Sequence, residues 1–308
     1  MLAEARGDTS EKMKLKVWFF ETRPQFLLLS VVLAFLGASI AWYDGYFHLG
    51  YAVLAFFGLL LAHISVNVLN DYFDYRSGID LATKRTPFSG GSGILPASAL
   101  TPRQVLWLGM TAFLLTIPIG VYFVIARGWL LLPLLIAGAI CILAYTPFIL
   151  KTPAPEWAAG LGLGTLPVLG AYFVQSAGYT VPAVVASIPS GFLVYNLLLL
   201  NEFPDTEADR KGGRKTLPIT LGKGKTSLVY MAVTLAVYVW IVGAVLLRQM
   251  PVFALIGLLT LPLAIKAIQG SLRYDDASRL MPAMGNNVLV VLLTQLLMGI
   301  GYILAGLF

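Results

Sequence analysis

Soft-metal and thiol chemistry are nearly absent from this sequence, which holds one cysteine, Cys141, and two histidines, His48 and His63, in 308 residues. A zinc site needs clustered Cys and His, and a disulfide needs a second cysteine, so neither is expected. Charge is scarce as well. Asp, Glu, Lys and Arg make up 12% of the chain, against about a quarter in soluble domains, which excludes an ordinary soluble fold. No signal peptide is expected, because the first apolar stretch begins after residue 24 and lacks a small-residue cleavage site.

Apolar length is what the chain has in abundance. Hydrophobic residues make up 58% and the mean hydropathy is +0.82, the composition of an all-α polytopic membrane protein. Stretches long enough to cross about 30 Å of hydrocarbon fall at residues 25–43, 50–70, 104–126, 129–150, 157–176, 182–203, 226–247, 251–270 and 286–308. They predict nine transmembrane helices in a single domain over 1–308. Residues 1–22 form a cytoplasmic or interfacial segment, amphipathic from Lys14 to Phe20, that is either an interfacial helix or partly disordered.

Charge orients these spans. Of the 21 Lys and Arg, all but Arg127 and Arg248 fall in the N-terminal tail or in alternate connections. The positive-inside rule places the N-terminus in the cytoplasm and Phe308 outside. A net charge of +6 is accounted for by a basic rim facing anionic lipid and by an anionic substrate, so no nucleic-acid partner is expected.

Acidic residues concentrate in two places. In LAHISVNVLNDYFDYRSGID (Leu61 to Asp80) an apolar run passes directly into Asn67, Asn70, Asp71, Asp74 and Asp80. On a helix Asn67 and Asp71 share a face, as do Asn70 and Asp74. Far downstream, Asn201, Asp205 and Asp209 repeat at i, i+4, i+8, with Pro204 a possible kink. Both clusters fall on the predicted cytoplasmic side. His63, one turn before Asn67, reads either as a polar residue lining a cavity or as a plain buried histidine.

Basic residues follow each cluster. Lys84 and Arg85 precede the run Phe88-Ser89-Gly90-Gly91-Ser92-Gly93, which suits either backbone N–H contacts to phosphate or a flexible connection. Arg23-Pro24 opens the first span, and Arg23 reads as a phosphate contact or a headgroup anchor. Lys151 lies in a later connection, and Arg214 and Lys215 follow the second cluster. Gly224-Lys225-Thr226 ends like a P-loop, but Ile219 stands where the earlier glycine belongs and a membrane span follows, so nucleotide binding there is rejected.

Carboxylates and amides without His or Cys select a hard divalent cation. Mg²⁺ fits, taking one or two protein carboxylates and completing its shell with substrate phosphate. A diphosphate bridging the clusters would be stabilised as a leaving group, and the apolar surroundings point to a hydrocarbon chain as the group released.

At these residues the sequence resembles the UbiA superfamily of intramembrane aromatic prenyltransferases. The resemblance rests on nine spans, Arg23-Pro24, Asn70-Asp71-x-x-Asp74 continued by Asp80, and Asn201-x-x-x-Asp205-x-x-x-Asp209. Asp80 follows Asp74 by six residues, which with SGID and Tyr145-Thr146 is more similar to the dihydroxynaphthoate (menaquinone) branch than to the hydroxybenzoate branch. The stretch after Tyr145 departs from both. The resemblance implies helices around a central cavity open laterally to lipid, and transfer of a polyprenyl group from its diphosphate to an aromatic acceptor.

It further implies two Mg²⁺ ions, with Asn70, Asp71, Asp74, Asp80, Asn201, Asp205 and Asp209 as metal ligands. Asp71, Asp74, Asp205 and Asp209 are the expected catalytic residues, Asp71 being a ligand or the base that ends the reaction. Substrate contacts are expected from Arg23, Asn67, Lys84, Arg85, Tyr145, Lys151, Arg214 and Lys215. The ring face of Tyr145 either favours an allylic cation or simply packs. The implied location is the plasma membrane of a prokaryote. A cation-coupled transporter is the alternative of another class, opposed by both clusters lying at one face and not at the bilayer midplane. A CDP-alcohol phosphotransferase is opposed by the absence of its single long Asp-rich pattern.

Overall fold

The computed structural model describes residues 15–308. The expectation for residues 1–14 therefore lies outside the described part; residues 15–21 are helical and present Leu15, Phe19 and Phe20 outward. Nine membrane helices follow: α1 Pro24–Tyr43, α2 Leu49–Ser77, α3 Pro102–Arg127, α4 Leu132–Leu143, α5 Glu156–Ser176, α6 Val181–Lys211, α7 Lys223–Leu246, α8 Val252–Ser271 and α9 Ala277–Leu307. All but α4 are long and apolar enough to span a bilayer unaided; α4 with its leading 3₁₀ turn covers Trp129–Leu143. Among the described residues there is no β-strand.

Local chemistry sets the helix starts. Pro24 and Pro102 occupy first turns, where a missing N–H costs nothing. Thr101 and Gln104 form a capping box for α3, and the Thr180 hydroxyl accepts from Ala183 N at the head of α6. Two helices outrun their apolar runs. α2 continues to Ser77, where Gly78 takes φ +80° as its cap, and α6 continues through Pro204 to Lys211. Both acidic motifs are thereby helical.

Besides these longer C-terminal ends, two boundaries and one helix type differ from those read in the sequence. The apolar run 129–150 does not stay helical: α4 stops at Leu143, and Pro147, which lacks an N–H, sits in an irregular connection. The last helix starts at Ala277, well before residue 286, because the Asp276 carboxylate caps it by accepting from Ser278 N at 2.9 Å. The first half of α8, Val252–Thr260, is 3₁₀.

α1 packs against α2, α5, α6 and α9. It and α6 are the most buried spans, whereas α3 is largely exposed to the surroundings. Close approaches need small residues, as in membrane bundles generally. A Cβ on Gly164, in the π-helical segment of α5, would come within 2.8 Å of Gly191 Cα on α6. This packing encloses a cavity of about 580 Å³ lined from α1–α6 and the connections flanking α4. Both motifs converge at its one polar end.

Candidate active site

Arg23 is one of five non-glycine residues with positive φ among the described residues, and it is the one among these that lines the cavity. It takes φ 56°, ψ 60°, a left-handed conformation that costs a non-glycine residue about 1 kcal/mol or more. From there its Nη1 lies 3.4 Å from Asp71 Oδ1 and 3.5 Å from Asn70 Oδ1. Asp71 Oδ2 accepts from Ser92 N at 2.7 Å, and the Ser92 hydroxyl donates to Glu21 at 2.9 Å. Asn67 donates to the Thr22 carbonyl at 3.2 Å. The segment before α1, the first motif and the glycine-serine loop thus form one network.

The loop Ser89–Gly93 folds over the motifs. Ser89 approaches Asp205, and a Cβ on Gly91, which has φ +69°, would sit 2.9 Å from the Asp80 carboxylate. Arg85 spends its guanidinium on the carbonyls of Gly91 and Ser92, shaping this loop from its exposed side. Burial and the neighbouring Asp74 and Asp71 charges push Asp80 up to about 8. Glu21 rises to about 8 through burial and the Asp71 charge.

The second motif meets the first through Arg214. Its Nη1 donates to Asp209 Oδ1 at 2.7 Å, and its Nη2 pairs with Asp74 Oδ1. Burial pulls the Arg214 proton affinity down, but Asp74 and Asp209 more than reverse this, so the guanidinium stays charged. Lys84, Lys151 and Lys215 are exposed at the same end. Backbone bonds from Lys215 N to Leu150 O (3.0 Å) and Ala154 N to Lys215 O (3.3 Å) bring the Lys151 and Lys215 segments together.

Among the described residues, no three His, Cys, Asp or Glu side chains converge as a ready metal-ligand set, and Arg23 and Arg214 pair with carboxylate oxygens of Asp71, Asp74 and Asp209. The donor chemistry nevertheless suits a hard cation. Asn201 Oδ1 and Asp205 Oδ1 are buried without a hydrogen-bond partner, a costly state that an oxygen-seeking cation would relieve.

Below the motifs, Arg23, Asn67, Asn70, Tyr145 and Asn201 line the cavity's polar end, and nearly everything beyond is apolar. His63 also lines it, bonded to Ser30 Oγ at 2.9 Å. The Tyr145 hydroxyl is buried and unpartnered; burial and then the Glu202 charge hold it protonated, well above the ordinary tyrosine range. All the exposed lining residues, Ile117, Val121, Ile125, Leu132 and Ile136, belong to α3 and α4. The cavity therefore opens sideways between these two helices.

Sequence reasoning passed over three site residues. Thr146 accepts from Asn70 Nδ2 at 3.2 Å, Glu156 accepts from Leu217 N at 2.6 Å, and Glu21 receives Ser92. Each lies outside any repeated spacing; Thr146 entered only beside Tyr145 in the branch resemblance, and Glu21 and Glu156 are carboxylates next to apolar spans.

A helical membrane bundle with an apolar, side-opening cavity capped by carboxylates, amides and guanidinium groups defines a protein that handles an anionic head on an apolar chain. Residues 30–298 match the UbiA prenyltransferase family, and the chain belongs to it. It is 28% identical to the 1,4-dihydroxy-2-naphthoate octaprenyltransferase of Bacillus subtilis, over 92% of this chain and 91% of that one. The apo UbiA homolog of Aeropyrum pernix superposes with a TM-score of 0.71 at 19% identity, covering 91% of this chain and 98% of that one. A UbiA homolog from Archaeoglobus fulgidus bound to GPP and Mg²⁺ superposes with a TM-score of 0.61 at 13% identity, covering 93% and 99%. The chain is thus an integral membrane prenyltransferase, and the similarity to the dihydroxynaphthoate branch holds.

Proposed function

We propose that this protein transfers a polyprenyl group from its diphosphate to an aromatic quinone precursor, 1,4-dihydroxy-2-naphthoate, in a Mg²⁺-dependent reaction inside the membrane. The observation that carries this reading is the meeting of two Asn/Asp motifs, from α2 and α6, at the polar end of an apolar cavity. Asn70, Asp71, Asp74 and Asp80 would hold one cation and Asn201, Asp205 and Asp209 a second. When bound, the cations supply charge neutralisation of the departing diphosphate.

The chain's own groups do the rest. Arg23, Arg214 and the exposed Lys84, Lys151 and Lys215 are suited to diphosphate oxygens, and the apolar wall excludes water from the carbon that loses it. Asn67, held on Thr22, orients this rim. Tyr145 keeps its proton and offers a ring face to positive charge, and Asp71 serves as ligand or as terminal base. The clustering of Lys and Arg at the motif-bearing end supports a cytoplasmic active site and N-terminus, with Phe308 outside, in a prokaryotic plasma membrane.

The test is turnover by purified protein in detergent with geranylgeranyl or farnesyl diphosphate, Mg²⁺, and dihydroxynaphthoate or 4-hydroxybenzoate. Prenylated naphthoate product, abolished by EDTA and by Asp74→Ala or Asp205→Ala, is the expected result. Product only with hydroxybenzoate would move the acceptor assignment, and no turnover with any acceptor would overturn the reading.

A further inference from the structure

Arg214 touches both motifs at once. The two carboxylates it holds, Asp74 and Asp209, come from different helices and are 9% and 2% exposed, with Arg214 itself at 12%. A fork-shaped guanidinium on buried carboxylates is strong and directional, and removing its charge without replacement leaves uncompensated anions. A divalent cation needs the same carboxylates. With Arg214 on Asp74 Oδ1 and Asp209 Oδ1, a cation is left the second oxygen of each carboxylate and sits beside a like charge, so full loading of the site, with both oxygens and the full negative charge of the pair, requires Arg214 to leave.

The backbone allows that departure. Arg214 N bonds to Asp209 O at 3.0 Å, Gly213 just before it has φ +76°, and Leu217 beyond it is pinned to Glu156. The side chain can therefore swing on a fixed stem without moving α6. Cation alone would set two like charges side by side. An arriving diphosphate supplies the anion that receives the guanidinium.

We propose that Arg214 is a resident counter-ion that competes with divalent metal for Asp74 and Asp209 and releases them when diphosphate arrives. This rests on the prenyltransferase reading. It makes metal and prenyl diphosphate bind synergistically, each weakly alone, and it keeps α2 and α6 joined between turnovers.

The experiment uses the full chain in detergent, with Mn²⁺ binding followed by electron paramagnetic resonance, with and without geranyl thiolodiphosphate as a non-reacting donor. Wild type is expected to bind Mn²⁺ about tenfold or more tightly when the analogue is present, within the usual range of coupling between sites. Arg214→Gln is expected to bind Mn²⁺ alone about tenfold more tightly than wild type and to lose most of the synergy. Thermal melting reports whether this variant folds. If it does not, Arg214→Lys, which keeps the charge but loses the planar fork, is expected to move in the same direction by less. A folded variant that binds Mn²⁺ alone no more tightly than wild type overturns the proposal while leaving the prenyltransferase reading intact. A wild type that binds neither Mn²⁺ nor the analogue overturns both.

Discussion

Asn70 Nδ2 donates to Thr146 Oγ1 at 3.2 Å, joining the first acidic motif to the connection after α4. The same amide presents its Oδ1 to Arg23, so Thr146 fixes which way Asn70 faces. Thr146→Val removes the acceptor and leaves the shape. The expected outcome is a fall of about tenfold in kcat/KM for prenyl diphosphate, the value of roughly one hydrogen bond, with little change in melting temperature; Thr146→Ser should restore most of it. A valine variant with unaltered kinetics would remove Thr146 from the site.

Glu21 carries a pH signature. Burial and the Asp71 charge raise it from 4.5 to about 8, so between those values the folded state holds a proton that the unfolded chain has released. Stability from this group is complete below pH 4.5 and is lost as pH rises to about 8. Glu21→Gln keeps an oxygen for Ser92 without the charge. Its melting temperature in EDTA should exceed wild type at pH 8, with the advantage shrinking towards pH 5. An advantage independent of pH would mean that Glu21 is already ionised in the folded protein.

The motifs were readable because carboxylates at the end of apolar runs are costly, and their i, i+4 spacing survives whatever the helix packs against. Helix count followed from the length of the apolar runs, and the cavity was an implication of the family resemblance. Boundaries failed where hydropathy and backbone chemistry part: Phe148, Ile149 and Leu150 keep the apolar signal going after Pro147 has ended the helix, and the polar turn from Ala277 is helical because Asp276 caps it. The pairing of Arg214 with Asp74, 140 residues away, has no local trace. In sequence Arg214 and Lys215 are two adjacent bases; in the fold one is buried between motifs and the other is exposed.

The opening between α3 and α4 bears on donor length. Neighbouring seams are shut by small residues: a Cβ on Gly109 of α3 would come within 2.9 Å of Leu69 on α2, and one on Gly162 of α5 within 2.6 Å of Cys141 on α4. A Cβ on Gly138 of α4, by contrast, meets nothing within 4 Å although the residue lines the cavity. Gly138→Phe should narrow the slot through which a long chain reaches the bilayer. Relative kcat/KM for a long polyprenyl diphosphate over geranyl diphosphate is expected to fall about tenfold, the scale of a pocket-shape change. Equal loss for both donors would place the tail elsewhere.

Glu156 anchors the segment that carries Arg214. Its Oε1 accepts from Leu217 N at 2.6 Å in a site with no solvent exposure, and Glu202 lies within hydrogen-bonding reach of the same carboxyl. Glu156→Ala strands a buried backbone N–H, at a cost of about 1–3 kcal/mol, and frees the chain between Arg214 and Leu217. The expected outcome is a lower melting temperature together with a kcat/KM loss larger than instability alone gives at a temperature where the variant is fully folded, because Arg214 then no longer returns to Asp74 and Asp209. Glu156→Gln retains the acceptor oxygen and should preserve both properties. If the alanine variant lowers stability but turns over normally when folded, the Leu217 contact is a fold anchor alone, and Arg214 is positioned by Asp74 and Asp209 without help from the loop behind it.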